Sequence, residues 1–264
     1  MTVEVLVCTI DEGILKVPEM LLPPANGIGW VVSMQYTDER YLSMVPAVLK
    51  ERTDITLSFL PGRGLSANRN NALANAKGDI LLIADDDCRY SADALRQVQQ
   101  FYEDNPSFDV VCFAAADYNN VPFKAYPSSL LSYKQALKHG YYPCSVEISM
   151  QRHVRTRFDE RFGLGSPLLC AGEEDVFLKD AVTGGYRVVV SPLCVVKTNP
   201  VTTGCFFLEN KQLQITKGAV FQHLFGTVGA LWRSIKEAGY YFIWHHANPF
   251  PILYNMVRGI WILR

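Results

Sequence analysis

The sequence predicts an α/β domain with a mostly parallel central sheet flanked by helices, followed by a helical C-terminal extension. Two observations support this prediction. Short runs rich in Val, Ile and Leu alternate with helix-like stretches over roughly the first 200 residues, which is typical of parallel sheets covered by helices. From about Gln212 onward the pattern is helical throughout. We therefore expect the α/β domain over residues 1–205 and the extension over residues 206–264.

Strands and helices can be placed in order along the α/β part. Apolar and β-branched runs predict strands at residues 3–9, 30–34, 55–60, 80–84, 110–116, 146–150 and 186–190. Helices are predicted between them, at residues 41–50, 66–76, 91–103, 128–138 and 174–182. Ser66 is a capping residue type at a helix start, and Gly78 is suited to end the same helix.

Composition narrows the class of protein. The net charge of −1 gives no general attraction to nucleic acid, which is therefore not expected as a partner. The seven cysteines form no Cys-x-x-Cys pair, and this favours free thiols in a reducing compartment. The first residues read as a strand, without a basic or apolar leader, which predicts a cytoplasmic protein.

The C-terminal part is aromatic and apolar, with basic residues interspersed at 240–244 and 251–264. No run reaches the roughly 18 uninterrupted apolar residues that span a bilayer. Two interpretations remain open for this segment. It is either a helix lying on the inner face of the cytoplasmic membrane as a peripheral contact, or a surface that packs on the domain or on a second subunit.

The predicted strand at residues 80–84 ends in three consecutive carboxylates, Asp85, Asp86 and Asp87. Adjacent carboxylates repel one another unless a cation lies between them. Carboxylates at the end of a buried strand are typical of a site for a divalent metal and phosphate. The alternative is a solvated acidic cap for the helix near Ser91, but capping needs one carboxylate and not three.

Two motifs precede the acidic strand, Asn68-Arg69-Asn70 and Ala76-Lys77-Gly78-Asp79. Arg69 falls in the first turns of a predicted helix, where its guanidinium is suited to contact phosphate, base or ribose oxygens. Taken together with Asp85-Asp86-Asp87, this order of motifs resembles the donor-binding half of family 2 glycosyltransferases of the GT-A fold, of the bacterial surface-polysaccharide type.

The resemblance implies roles for the acidic residues. Asp85 would lie near the ribose of a nucleotide sugar. Asp87, together with Asp85, would coordinate a Mg²⁺ or Mn²⁺ ion that bridges the diphosphate, and Asp86 would share either role.

Three positions elsewhere bear on the same resemblance. Thr9, at the end of the first strand, is a candidate for contacting the nucleotide. Gln35 stands about where the family has an acidic residue that holds the base, so the base stays open, with uridine favoured. Lys197 stands where the family often has a histidine metal ligand, and a protonated lysine would neutralise phosphate instead.

A second acidic cluster follows a glycine-rich loop, Phe162-Gly163-Leu164-Gly165. It consists of Glu173, Glu174 and Asp175, and it resembles the acceptor-side Glu-Asp motif of the family. An inverting transfer needs a carboxylate that takes the proton of the acceptor hydroxyl. Asp175 is the first choice for this base, with Glu174 and Glu173 as alternatives. The structural alternative is a set of carboxylates that favours the positive end of a helix.

A basic stretch, Arg152, His153, Arg155, Arg157 and Arg161, lies between the two acidic clusters. It either contacts the diphosphate or an anionic acceptor, or it forms a solvated face.

The sequence therefore predicts an inverting glycosyltransferase of the hexosyltransferase type. It would transfer a sugar from a nucleotide diphosphate sugar, with a UDP-sugar favoured, to a hydroxyl of a glycan or lipid-linked glycan in polysaccharide biosynthesis of the cell envelope. Three rivals remain: an inactive protein that binds sugar nucleotides, a metal-dependent phosphohydrolase, and a nucleotidyltransferase. The nucleotidyltransferase would need a basic, glycine-rich loop after the first strand, where this chain has Asp11 and Glu12 with a single glycine.

Overall fold

The computed structural model of the protein describes residues 1–200 and 203–263, so residues 201, 202 and 264 of the predicted domain and extension lie outside it. The chain divides into two compact units. The first comprises Met1–Arg63, Ala67–Arg157 and Asp180–Pro200, and the second comprises Gly64–Ser66, Phe158–Lys179 and Val201–Arg264. Each unit is built from separate segments of the chain, and the boundary at residue 205 stays a prediction.

The first unit holds an eight-stranded sheet. Its strands are β1 (Val3–Ile10), β2 (Ile28–Tyr36), β3 (Ile55–Pro61), β4 (Ile80–Asp85), β5 (Val110–Ala116), β6 (Leu131–Ser132), β7 (Ile148–Gln151) and β8 (Val188–Lys197). They lie in the order β3-β2-β1-β4-β7-β5-β8-β6. β6 and β7 run antiparallel to their neighbours, and the other strands run in one direction. The predicted α/β class with a mostly parallel sheet is confirmed.

Seven α-helices accompany the sheet among the described residues. They are α1 (Ala47–Glu51), α2 (Leu65–Asn75), α3 (Ala92–Asp104), α4 (Tyr133–Lys138), α5 (Glu173–Thr183), α6 (Lys211–His245) and α7 (Pro249–Ile262). Ser91 caps α3, because its side chain accepts a hydrogen bond from the N–H of Ala94 at 3.0 Å. The helical prediction for the C-terminal part is confirmed as two helices.

Three predicted elements differ from the structure. The helix expected at residues 41–50 is a 3₁₀ turn followed by α1, because Pro46 interrupts the backbone hydrogen bonding between them. The helix expected from residue 128 begins only at Tyr133, after a capping box of Ser132 and Gln135. β8 continues past Pro192, where a register shift against β5 accommodates the proline.

At the amino-terminal edge of the sheet, the Ala-Lys-Gly-Asp motif joins β1 to β4. The carboxylate of Glu4 accepts hydrogen bonds from the N–H groups of Lys77 at 2.6 Å and Gly78 at 2.8 Å. Asp79 accepts from the N–H and the hydroxyl of Thr2, and these hydrogen bonds lower the pKa of Asp79. Glycine is needed at position 78, since an added Cβ would press on Glu4. This motif therefore fixes the start of β4.

In the second unit, α6 and α7 pack closely against each other through two glycines. An added Cβ at Gly218 would overlap the carbonyl oxygen of Met256, and one at Gly259 would overlap that of Ile215. α6 is interrupted at Gly226, whose φ of 67° lies in the left-handed region. The contact between the helices thus depends on the absence of side chains at the first two glycines.

Candidate functional site

The carboxyl ends of three neighbouring parallel strands meet at one edge of the sheet. Cys8 of β1 pairs with Asp85 of β4, and Ile10 of β1 pairs with Gln35 of β2. Thr9 lies between these two β1 positions. The structure therefore brings together, within the first unit, the residues that the sequence predicts to bind the donor. Open α/β sheets bind their ligands at this edge.

A tight turn after β4 gives the first two aspartates separate cationic partners. The N–H of Cys88 donates to the carbonyl of Asp85 at 3.2 Å and closes the turn. The carboxylate of Asp85 accepts from the Arg69 guanidinium at 3.1 Å. Asp86 lies 3.7 Å from the Lys16 ammonium group. Cationic side chains of the protein thus offset the charges of Asp85 and Asp86, two of the three neighbouring carboxylates that would otherwise repel one another.

Asp87 is paired differently, with hydroxyl groups from two other segments. Thr198 donates its hydroxyl to the Asp87 carboxylate at 2.7 Å, and Tyr118 donates its hydroxyl to the Asp87 carbonyl at 2.7 Å. No cationic side chain of the described residues forms an ion pair with Asp87. Lys197, for which phosphate neutralisation is predicted, adjoins this place because its backbone pairs with that of Arg89.

Neither Thr198 nor Tyr118 is among the site residues predicted from the sequence. A signal for Thr198 was present, since it directly follows β8, which runs parallel to β4 and ends at the same edge of the sheet. Tyr118 follows β5 in the same way. No spacing pattern distinguishes this tyrosine from its aromatic neighbours.

Thr9 orients Asp86. Its buried hydroxyl donates to the Asp86 carboxylate at 2.7 Å, and its carbonyl accepts from the Asn68 amide at 2.9 Å. Asn68 in turn accepts from the Ser33 hydroxyl at 2.6 Å. An added Cβ at Gly13 would overlap both Thr9 and Asp86, so the backbone approaches the turn closely there. The Thr9 hydroxyl is thus engaged by the protein at the position where a nucleotide contact is predicted.

Gln35 is the next-to-last residue of β2, and its side chain is largely buried. Its amide makes no hydrogen bond with the part of the chain that the structure describes. A side-chain amide carries both donors and an acceptor, and the amide atoms of Gln35 are not among the fully buried side-chain atoms without a partner, so they remain accessible. The arrangement suits an amide that pairs with a bound ligand.

Arg69 is buried, although most arginines lie on the protein surface. It is only 1% exposed, and its guanidinium donates to Asp85 and to the Ser145 hydroxyl at 2.7 Å. Arg69 lies in the second turn of α2, and its side chain reaches the loop formed by Asp85, Asp86 and Asp87 after β4. In this structure Arg69 holds Asp85, and its direct contact with the donor stays a prediction.

Replacing Arg69 with Gln should destabilise the protein by about 1–3 kcal/mol, because the Asp85 carboxylate loses its buried cationic partner. The change is measured as the free energy of unfolding in urea, followed by circular dichroism. Arg63→Gln is the matched control, since Arg63 is exposed in the preceding loop. Equal stability of the two variants would contradict this role.

The carboxylates fit a divalent metal in the chemistry of their donor atoms. Hard oxygen ligands suit Mg²⁺ and Mn²⁺, and Mg²⁺ is often held by one or two carboxylates together with substrate phosphates. Asp87, with no cationic partner in the described chain, and the neighbouring Asp85 provide such a pair. No group of three or more His, Cys, Asp or Glu side chains in the described residues forms a metal cage.

The second acidic cluster lies in the first turn of α5, within the second unit. Glu173 and Asp175 are largely buried, and Glu174 is partly exposed. Gly163, with a φ of 102°, lies against the Glu173 carboxyl group, so the glycine-rich loop packs on the start of the helix. The positive end of a helix favours such carboxylates. All three predicted base candidates thus share one helical turn.

The basic stretch belongs in part to the opposite edge of the sheet. Arg152 donates from its backbone to the Asp79 carbonyl at 2.9 Å and from its guanidinium to the Lys77 carbonyl at 2.9 Å. Both carbonyls precede β4, whereas Asp85 ends it. Asp79 alone is six residues before Asp85, about 20 Å away along the strand at the usual rise per residue. Arg152 is therefore remote from the predicted diphosphate position.

Comparisons with known proteins agree with this architecture. Residues 37–163 match the family model described as Glycosyl transferase family 2. None of the curated proteins compared matches the chain. Among solved structures, S. aureus TarS is similar at 17% identity with a TM-score of 0.58, covering 92% of this chain and 44% of TarS. This chain thus spans less than half of that TarS chain.

Two shorter TarS structures are also similar. TarS 1–349 in complex with UDP-GlcNAc is 15% identical, with a TM-score of 0.57, and the match covers 98% of this chain and 90% of that one. TarS 1–349 in complex with UDP is 18% identical, with a TM-score of 0.54, and covers 95% and 74%. At identities this low, the structural similarity shows a shared fold and nothing further.

Proposed function

We propose that this chain is a family 2 glycosyltransferase whose donor is a nucleotide diphosphate sugar, with a UDP-sugar favoured, because residues 37–163 match the model of that family and the fold is similar to that of TarS 1–349. The observation that carries this proposal is the turn formed by Asp85, Asp86 and Asp87. It follows β4 at the edge of the sheet where β1 and β2 also end. There, Asp85 and Asp86 have cationic partners, Arg69 and Lys16, whereas none of the described side chains forms an ion pair with Asp87. A diphosphate is negatively charged like Asp87, so a cation between the two would be needed to bring them together.

The base of the nucleotide would lie against β2. The amide of Gln35 has donors and an acceptor that match the edge of uracil, and no described side chain competes for them. The complexes of TarS with UDP and UDP-GlcNAc are consistent with the same nucleotide. Thr9 and Arg69 would act indirectly, by orienting Asp86 and Asp85.

Asp87 and Asp85 would hold a Mg²⁺ or Mn²⁺ ion. When bound, such an ion would neutralise charge on the diphosphate leaving group. Thr198 restricts the Asp87 carboxylate to one orientation, and Lys197 would supply a further positive charge toward phosphate.

The transfer would invert the anomeric centre. The acceptor hydroxyl oxygen forms the new bond to the anomeric carbon while the bond from that carbon to the diphosphate breaks, and the diphosphate leaves with the electron pair. The hydroxyl proton passes to a carboxylate, for which we favour Asp175, with Glu174 and Glu173 as the alternatives. The acceptor would be a hydroxyl of a glycan or lipid-linked glycan, and the setting would be cytoplasmic, at the inner face of the cytoplasmic membrane.

The test separates donor binding from donor cleavage. Purified protein is incubated with UDP-glucose, UDP-galactose and UDP-N-acetylglucosamine, with and without Mn²⁺, and released UDP is measured beside equilibrium binding. We expect one donor to bind and to release UDP slowly by transfer to water. Binding without any release, even with added glycan acceptors, would favour the inactive sugar-nucleotide-binding alternative. Release of phosphate from simple phosphate esters would favour a phosphohydrolase.

A further inference from the structure

The second half of α6 exposes an apolar stripe. Val228, Trp232, Ile235 and Phe242 recur at spacings of three, four and seven residues, so they share one helical face. All four are exposed, and Val228 is 84% exposed. On a helix at the surface of a globular protein, this face would ordinarily be polar.

α7 carries a second exposed stripe. Phe250, Tyr254 and Trp261 lie on one side of this helix, and Phe250 is 76% exposed. The other side, with Ile252, Met256 and others, is buried against α6. Each helix thus has two apolar faces. One is buried in the contact between α6 and α7, and the other is exposed.

The exposed apolar side chains are concentrated in this part of the chain. Eleven of the 24 exposed large apolar side chains among the described residues lie between Val228 and Ile262. We name these exposed side chains of α6 and α7 together the aromatic face, and its members are Val228, Trp232, Ile235, Tyr240, Phe242, Ile243, Trp244, Phe250, Tyr254, Trp261 and Ile262. So many exposed large apolar side chains on two helices that pack together indicate a site of interaction.

The charges of these helices indicate what covers the aromatic face. Residues 211–263 contain five Lys and Arg but only one acidic residue, Glu237, although the whole chain has a net charge of −1. Lys236 and Arg258 are exposed on the same two helices. Tryptophan and tyrosine beside basic residues are typical of surfaces that lie at the boundary between lipid headgroups and acyl chains.

We propose that the aromatic face binds the surface of a bilayer that contains anionic lipids. Among the described residues, none of the helices combines the length and the apolar content needed to cross a membrane. The helices would therefore lie in the plane of the interface, with Trp and Phe inserted and Lys236 and Arg258 beside the phosphate groups.

A second copy of the chain is the other possible occupant. A twofold contact would place the same positively charged surface against itself, because such interfaces use one patch on both subunits. With five basic residues against one acidic residue on these helices, like charges would meet. The anionic bilayer is the complementary occupant.

Intrinsic fluorescence provides a direct test, because three of the four tryptophans lie on the aromatic face. Trp232, Trp244 and Trp261 are exposed, whereas Trp30 is 1% exposed in the core of the first unit. The protein is mixed with vesicles of phosphatidylglycerol and phosphatidylcholine, and with vesicles of phosphatidylcholine alone. We expect a blue shift and quenching by brominated acyl chains, both stronger with phosphatidylglycerol.

Two variants keep every tryptophan as a reporter. Ile235→Ser combined with Ile243→Ser should reduce vesicle binding by at least about tenfold, since two inserted side chains are lost. Lys236→Gln combined with Arg258→Gln should remove most of the preference for phosphatidylglycerol. Phe59→Ser is the matched control, because Phe59 is an exposed aromatic residue on β3, and it should bind vesicles like the unchanged protein.

Other results would overturn the proposal. One is a tryptophan spectrum that vesicles of either composition leave unchanged. Another is a stable dimer in light scattering that Ile235→Ser with Ile243→Ser dissociates. Since no sugar donor enters these measurements, the proposal stands or falls separately from the proposed transfer.

Discussion

Replacing Asp175 with Asn should lower the turnover number for sugar transfer by about 10²–10⁴-fold, while the affinity for the donor stays within about twofold. The amide keeps the size of the side chain but cannot take the proton of the acceptor hydroxyl, and general-base catalysis contributes about this much. Turnover is measured with the donor and acceptor pair that supports transfer, and donor affinity is measured separately by calorimetry.

Glu173→Gln and Glu174→Gln distinguish the alternatives within the same helical turn. Asp180→Asn is the matched control, because Asp180 lies five residues after Asp175 in α5. If Glu173→Gln or Glu174→Gln causes the large loss and Asp175→Asn does not, the base has been assigned to the wrong residue. A parallel loss of donor affinity would indicate a structural effect of the substitution.

Replacing Gly259 with Ala should destabilise the second unit by about 3 kcal/mol, at the upper end of the cost of overfilling a packed interior. The added Cβ would overlap the backbone of Ile215, and backbone cannot move aside as a flexible side chain can. Helix content during urea unfolding measures the change.

Gly239→Ala is the control for this substitution. Gly239 lies in α6 with open space around an added Cβ, so alanine there should raise stability by about 0.5–1 kcal/mol through helix propensity. Similar effects of the two substitutions would show that the close approach of α6 and α7 does not govern stability.

The sheet was predictable from sequence because its strands are nearly continuous apolar runs. β1, β2 and β4 are buried along most of their length, which local hydrophobicity detects directly. The short β6 was not predicted, since two residues carry no periodicity. The continuation of β8 through Pro192 depends on a bulge against β5, a pairing that local sequence does not contain.

Most of the residues that form the site could be predicted from the sequence. The hydrogen bonds between their side chains could not. The position of Thr9, Gln35 and Asp85 at one edge follows from the parallel order of the strands. That Arg69 is buried and holds Asp85 depends on Ser145, 76 residues away in sequence. The hydrogen bond from Thr198 to Asp87 likewise joins residues 111 positions apart, so the contact could not be read from local sequence.

The most direct measurement of the central claim is a calorimetric titration of UDP-sugars into the protein, with and without Mn²⁺, repeated with Asp87→Ala. Asp93→Ala is the matched control, since Asp93 lies in the first turn of α3 and its carboxylate pairs with Arg96 of the same helix. The predicted result is binding of one donor that depends on metal and that only Asp87→Ala weakens, by about tenfold or more. No binding of any donor, or equal binding by Asp87→Ala and the unchanged protein, would contradict the donor site described at the end of β4.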